Sequence, residues 1–117
     1  MHGTKEKLGE VLNKIGIKEK LKAHNYLKFI ICDILEQENC QTLTKSLYDR
    51  VAKMSNKTNW SVERNIRYGI EVGFEKGNYN LLVEIFGNNI SERNGKVSNF
   101  RFIKILWEWL KKQEKMA

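Results

Sequence analysis

Proline is absent from all 117 residues. Its turn signals are missing, so Gly, Asn, Ser and Thr must punctuate the chain. Cysteine and histidine are scarce, at Cys32, Cys40, His2 and His24. Their spacing matches no zinc pattern, so no metal centre is expected. Cys32 sits in an apolar run and reads as a small core residue. Long apolar runs are also missing. The longest, Phe29-Ile30-Ile31-Cys32, stops at Asp33, far short of the roughly 18 residues a spanning helix needs. The first residues, Met-His-Gly-Thr-Lys-Glu-Lys, hold no apolar stretch of the kind a secretory signal requires. A soluble, cytoplasmic protein is expected, without a disulfide. There is no Gly-rich phosphate loop, carboxylate pair or nucleophile–base pair, so neither an enzyme nor a cofactor is expected.

What the chain does hold is positive charge and helical periodicity. Lys and Arg number 21 against 14 Asp and Glu, a formal net charge of +7. A small basic domain invites a polyanion, nucleic acid above all; excess lysine also serves plain solubility. Period-2 alternation is rare and 3.6-residue patterns dominate, which predicts an all-α fold, residues 1–117 forming one domain.

Six helices are predicted. The first covers about 4–15 and closes at Gly16; the second covers about 19–37, with a wide apolar stripe. A third, about 43–54, carries Leu43, Leu47, Val51 and Met54. The polar turn 55–59 follows, with Thr58 or Asn59 as cap. The fourth helix, about 60–76, stops at Lys76-Gly77. The fifth covers about 79–86 and ends at Gly87; after the surface loop 87–97, Ser98 or Asn99 caps the last, about 99–114. The expected core includes Leu27, Ile30, Ile31, Leu47, Val51, Val62, Ile66, Ile70, Phe86, Phe102 and Leu106.

Residues 43–76 have the layout of a helix-turn-helix: short helix, tight turn, longer helix. In the longer helix, Val62, Ile66, Gly69, Ile70 and Gly73 share one face. Glycine inside a helix costs about 1 kcal/mol relative to alanine, so this pair implies close approach of another helix. Trp60, Arg64, Arg67, Glu71 and Glu75 lie opposite. Arg64 and Arg67 stand one turn apart in the first half, the part of such a helix that meets base edges in the major groove. An arginine fork matches guanine O6 and N7, and Glu63 either accepts from cytosine N4 or holds an arginine. The alternative is an ordinary solvated face, with Arg67 and Glu71 as an i,i+4 ion pair. Glu63 and Glu71, flanked by arginines, read as salt-bridged rather than catalytic.

A longer pattern bears on that choice. Leu43-Thr44-Lys45-Ser46-Leu47-Tyr48-Asp49-Arg50-Val51-Ala52-Lys53, then Thr58, then Ser61-Val62-Glu63-Arg64-Asn65-Ile66-Arg67-Tyr68-Gly69-Ile70-Glu71, resembles one family. It is the C-terminal DNA-binding domain of the stage-zero master response regulator of sporulation in Bacillus and Clostridium relatives. Ile15-Gly16-Ile17, Tyr26-Leu27, Phe86-Gly87 and Lys96-Val97-Ser98-Asn99-Phe100-Arg101-Phe102-Ile103 extend the likeness over about residues 12–110.

The resemblance implies a six-helix bundle around a central helix-turn-helix. It implies binding to short promoter boxes in double-stranded DNA, often by head-to-tail pairs of domains on tandem sites, with RNA polymerase as a further partner. It places Glu63, Arg64 and Arg67 at base-reading positions, and Lys45, Lys53, Thr58, Ser61, Lys96 and Ser98 near the DNA backbone. The family's longer members carry a phosphoacceptor domain N-terminal to the stretch matched here. Asp49, Lys18 and Val97 stand where the family has proline, Trp60 and Ser61 replace a small residue and an arginine, and Tyr68 replaces histidine. These departures bear on the operator sequence more than on DNA binding. Two other readings remain: a helical interaction module that keeps the fold without binding DNA, and RNA binding through Trp60 and Tyr68. Trp107 and Trp109, roughly 200° apart around the last helix, cannot share one core stripe. One of them, near Phe100 or Ile103, is expected to be partly exposed, either at a seam between paired domains or over its own loop.

Overall fold

Apolar side chains recurring every three to four residues can be buried only by packing helix on helix, and the computed structural model shows that arrangement. It describes residues 2–37, 45–87 and 97–116. These form α1 (His2–Lys14), α2 (Lys22–Gln37), α3 (Lys45–Ser55), α4 (Asn59–Lys76), α5 (Tyr79–Phe86) and α6 (Asn99–Met116), with no strand among the described residues. All eleven expected core residues are buried. The expected connection 38–42, Leu43, Cys40 and loop residues 88–96 lie outside the described residues.

The junction of α1 and α2 decides how the rest is seated. α1 ends in a Schellman motif: Ile17 N–H donates to Leu12 C=O at 2.8 Å and Gly16 N–H to Asn13 C=O at 3.1 Å. Gly16 has φ 91°, a left-handed conformation that glycine adopts without strain. The second helix starts at Lys22, three residues later than expected. Residues 18–21 form a turn, closed by Leu21 N–H to Lys18 C=O at 2.9 Å. The turn re-aims the chain after Gly16, and half-buried Leu21 belongs to it although its spacing mimics the helix. Buried His24 donates from Nδ1 to Ile17 C=O at 2.9 Å, fastening α2 to this corner.

α4 lies against the corner at backbone distance. Its buried residues are Val62, Ile66, Gly69, Ile70 and Gly73, the stripe expected from periodicity. A Cβ on Gly69 would collide with the Ala23 methyl of α2, and one on Gly73 would come within 2.6 Å of Ile15 C=O. Gly77 ends α4 with φ −76°, not in the left-handed region. Its smallness serves space: a Cβ there would strike Ile15 C=O and carbon. Asn78 N–H donates to Lys14 C=O at 2.8 Å, so the end of α4 is hydrogen-bonded to the end of α1.

Phe74, Phe86 and Phe102 join α4, α5 and α6, with ring centroids 5.0 to 6.1 Å apart. Asn78 caps α5, its Oδ1 accepting from Leu81 N–H at 3.0 Å, and Ser98 caps α6, its Oγ accepting from Arg101 N–H at 3.1 Å. On α6, Ile103 is fully buried and Phe100 exposed. Trp107 and Trp109 are both half-buried against the core; each large ring reaches the core from the flank of the stripe.

Gly73→Ala sets a helix-propensity gain of about 1 kcal/mol against overpacking on a backbone carbonyl, which costs typically about 1–3 kcal/mol. A carbonyl cannot rotate away, so the clash wins. Thermal unfolding should show Gly73→Ala and Gly69→Ala lowering Tm by several degrees. Glu75→Ala, on the exposed face of the same helix, should stay within about 0.5 kcal/mol of the parent.

Candidate nucleic-acid interface

The turn between α3 and α4 sets the angle at which α4 emerges. α3 ends in a second Schellman motif, with Lys57 N–H donating to Ala52 C=O at 2.8 Å and Asn56 N–H to Lys53 C=O at 3.3 Å. Asn56 takes the left-handed position at φ 58°, which asparagine tolerates better than most side chains. Thr58 is then extended, and its Oγ1 accepts from Ser61 N–H at 3.0 Å, making it the α4 cap. Asn59 Nδ2 donates to Asp49 Oδ1 at 2.6 Å, across the turn. The Asp49 carboxylate thus ties α3 to the first residue of α4.

The exposed side of α4 faces an open groove of about 520 Å³. One wall is Trp60, Glu63, Arg64 and Arg67; the others are Tyr48 of α3 and Ser98, Asn99 and Phe100 at the start of α6. Trp60 is 65% exposed, and the guanidinium carbon of Arg64 lies 5.1 Å from its ring centroid. Arg64 and Glu63 are exposed, and no hydrogen bond or ion pair holds the Arg64 guanidinium among the described residues.

Arg67 is fastened. Its Nη1 donates to Val97 C=O at 2.6 Å, and its Nε lies 3.4 Å from Glu71 Oε2, an ion pair without hydrogen-bond alignment. Nε and Nη2 are buried and have no hydrogen-bond partner among the described residues. Buried Asn99 donates from Nδ2 to Glu63 C=O at 3.1 Å, and its Oδ1 accepts no hydrogen bond among the described residues. Val97 and Asn99 together pin the start of α6 to α4. Burial pushes the Tyr48 hydroxyl above its ordinary pKa; a hydrogen bond with Asn99 opposes this and the Glu63 carboxylate adds to it. Tyr48 therefore stays a neutral hydrogen-bonding group in the wall.

The groove brings Glu63, Arg64, Arg67 and Ser98 together. Ser98 spends its Oγ lone pair on the α6 cap, as Thr58 does on α4. Ser61 is half-buried and accepts from Asn65 Nδ2 at its carbonyl, 2.9 Å. Lys53 is exposed near the end of α3. Lys45 opens α3 with its side chain outside the described residues, and Lys96 lies outside them altogether. Sequence reasoning missed Tyr48 as a wall of the groove and the Val97 carbonyl as the partner of Arg67. The first carries a weak signal, since Tyr48 follows Leu47 at the edge of the α3 apolar stripe. A backbone carbonyl carries none.

Among the described residues, no group of three or more His, Cys, Asp or Glu is placed to hold a metal ion, and no helix is long and apolar enough to cross a membrane. A family model described as the C-terminal domain of the sporulation initiation factor Spo0A matches residues 8–110, from α1 into α6. The exposed α4 face and the capped turn are thus features of a chain that belongs to the Spo0A C-terminal family, the DNA-binding effector domain of a sporulation transcription regulator.

Proposed function

We propose that the domain reads short promoter boxes with the N-terminal half of α4 in the major groove, Arg64 being the principal base contact. The observation that carries this reading is the state of the Arg64 side chain. It is exposed on the face of α4 opposite the glycine stripe, with no ion pair among the described residues to hold its N–H edge back. A guanidinium in that state matches the two acceptors of guanine. Glu63 accepts from a cytosine amine beside it. Arg67 reaches a base only by leaving Val97, so it joins after docking or serves chiefly as a strut. Lys45, Lys53, Thr58, Ser61, Lys96 and Ser98 contact phosphates, which set register and salt dependence and leave sequence to the base contacts. The protein acts in the cytoplasm by binding rather than catalysis. Two domains sit head to tail on tandem boxes, and RNA polymerase is the further partner. Because Trp107 packs on its own core, exposed Phe100 suits such a seam better.

Arg64→Ala should cost about 1–3 kcal/mol on the preferred duplex and relax preference at one position. Lys53→Ala should weaken all sequences alike and lower the slope of log K against log salt by about one. Titrations of specific and random duplex at several salt concentrations check both, and equal losses on both duplexes for Arg64→Ala would contradict base reading. Arg67→Ala should lower Tm as well as affinity, because it releases Val97, whereas Arg64→Ala should leave Tm unchanged. Titration of one-box and two-box duplexes should show cooperative filling of the second box; independent filling would remove the head-to-tail pair.

A further inference from the structure

An exposed tryptophan in the first turn of α4 needs a reason. Trp60 buries little of itself and contributes nothing to the core. What it does touch is Arg64, one turn further on, whose guanidinium carbon lies 5.1 Å from the ring centroid. A cation stacked on an indole uses the flat face of the guanidinium. Its N–H donors lie in the plane of the group and radiate from its edge. A guanidinium that lies flat on the ring keeps free the edge that a guanine engages. Stacking also restricts a side chain that otherwise loses much rotamer freedom on binding.

We propose that Trp60 is a positioning residue for base recognition: its ring holds the Arg64 guanidinium in the orientation that reads a base pair. The inference rests on the reading of Arg64 as a base contact. Trp60 acts through Arg64, not by touching DNA itself. Phe100, across the groove and also exposed, bounds the space on the other side. An arginine of this kind loses discrimination when its platform is removed, even though its own atoms are intact.

The test uses the full 117-residue chain. A preferred duplex is selected from a randomised pool, and each base pair is then replaced in turn. Binding of every duplex is measured for the parent, Arg64→Ala, Trp60→Ala, Trp60→Leu, Trp60→Phe and the Trp60→Ala/Arg64→Ala double variant. Trp60→Leu keeps apolar bulk and helix propensity but has no π face; Trp60→Phe keeps a face. Arg64→Ala should erase discrimination at one or two adjacent positions. Trp60→Ala and Trp60→Leu should each lose about two- to fivefold of the discrimination at those same positions, the scale of an exposed cation–π contact. Trp60→Phe should retain most of it, and adding Trp60→Ala to Arg64→Ala should change nothing further. The proposal is overturned if Trp60→Leu matches the parent. It is also overturned if Trp60→Ala alters different positions, or acts undiminished in the Arg64→Ala background, either of which makes Trp60 a direct DNA contact. If Arg64→Ala leaves the whole pattern intact, base reading by Arg64 fails and the positioning role fails with it, an outcome distinct from the loss of the Trp60 effect alone.

Discussion

Contact between backbones at the crossing of α4 with the α1–α2 corner governs the arrangement of this domain. Ile15 C=O faces Gly73 and Gly77, the Ala23 methyl faces Gly69, and Asn78 N–H reaches Lys14 C=O. Side chains flex by rotating about χ angles, whereas a carbonyl pressed on a Cα has no such freedom. The depth and tilt of α4 are therefore set by atoms that every residue possesses and by the absence of Cβ atoms at three positions. The helix loses propensity to its glycines, and the closer packing offsets it. Everything on the outer side of α4 is aimed by that choice.

From this seat the outer residues divide by whether they are tied. Arg67 is drawn inward to Val97 and Glu71, Asn99 is drawn to the Glu63 carbonyl, and Asn59 is drawn to Asp49. These contacts join α4 to α3 and to the start of α6, whose residues wall the groove. Glu63 and Arg64 stay in solvent within that frame. Two arginines one turn apart, alike in sequence, thus stand differently: the Arg64 guanidinium is in solvent beside the Trp60 ring, and that of Arg67 is held by the Val97 carbonyl.

Much of this was legible beforehand. The α4 stripe follows from period 3.6, and the two glycines inside it signalled close approach because their cost needs an offset. The caps of α4 and α6 narrow to Thr58 or Asn59 and to Ser98 or Asn99, because a short polar side chain before an apolar run satisfies free amides, and the structure takes the hydroxyl in each case. Leu27, Ile30, Ile31, Leu47, Val51, Phe102 and Leu106 recur at helical spacing and are buried, whereas Met54, expected on the same α3 face, is 69% exposed at the end of its helix. Other features were hidden for physical reasons. The start of α2 was misplaced because Leu21 is apolar at a helical interval while its backbone turns. Gly77 looked like a conformational stop and is a spatial one. The latch on Arg67 engages a carbonyl thirty residues away, and carbonyls are the same at every position. The i,i+4 pair Trp60–Arg64 is different, since both residue types and their spacing stand in the sequence.

The two faces of α4 answer to different demands, and this bears on how such a domain changes over generations. Its anchoring face tolerates almost nothing, since any added atom meets backbone or a methyl fixed to it. The untied positions of its outer face vary more freely, because substitutions at exposed helix positions shift stability by only about 0.5 kcal/mol. Trp60, Ser61 and Tyr68 all lie off the glycine stripe. The vocabulary of the domain can therefore drift one residue at a time without a compensating change in its grammar. A lineage built this way can acquire a new operator before it ever risks losing its fold.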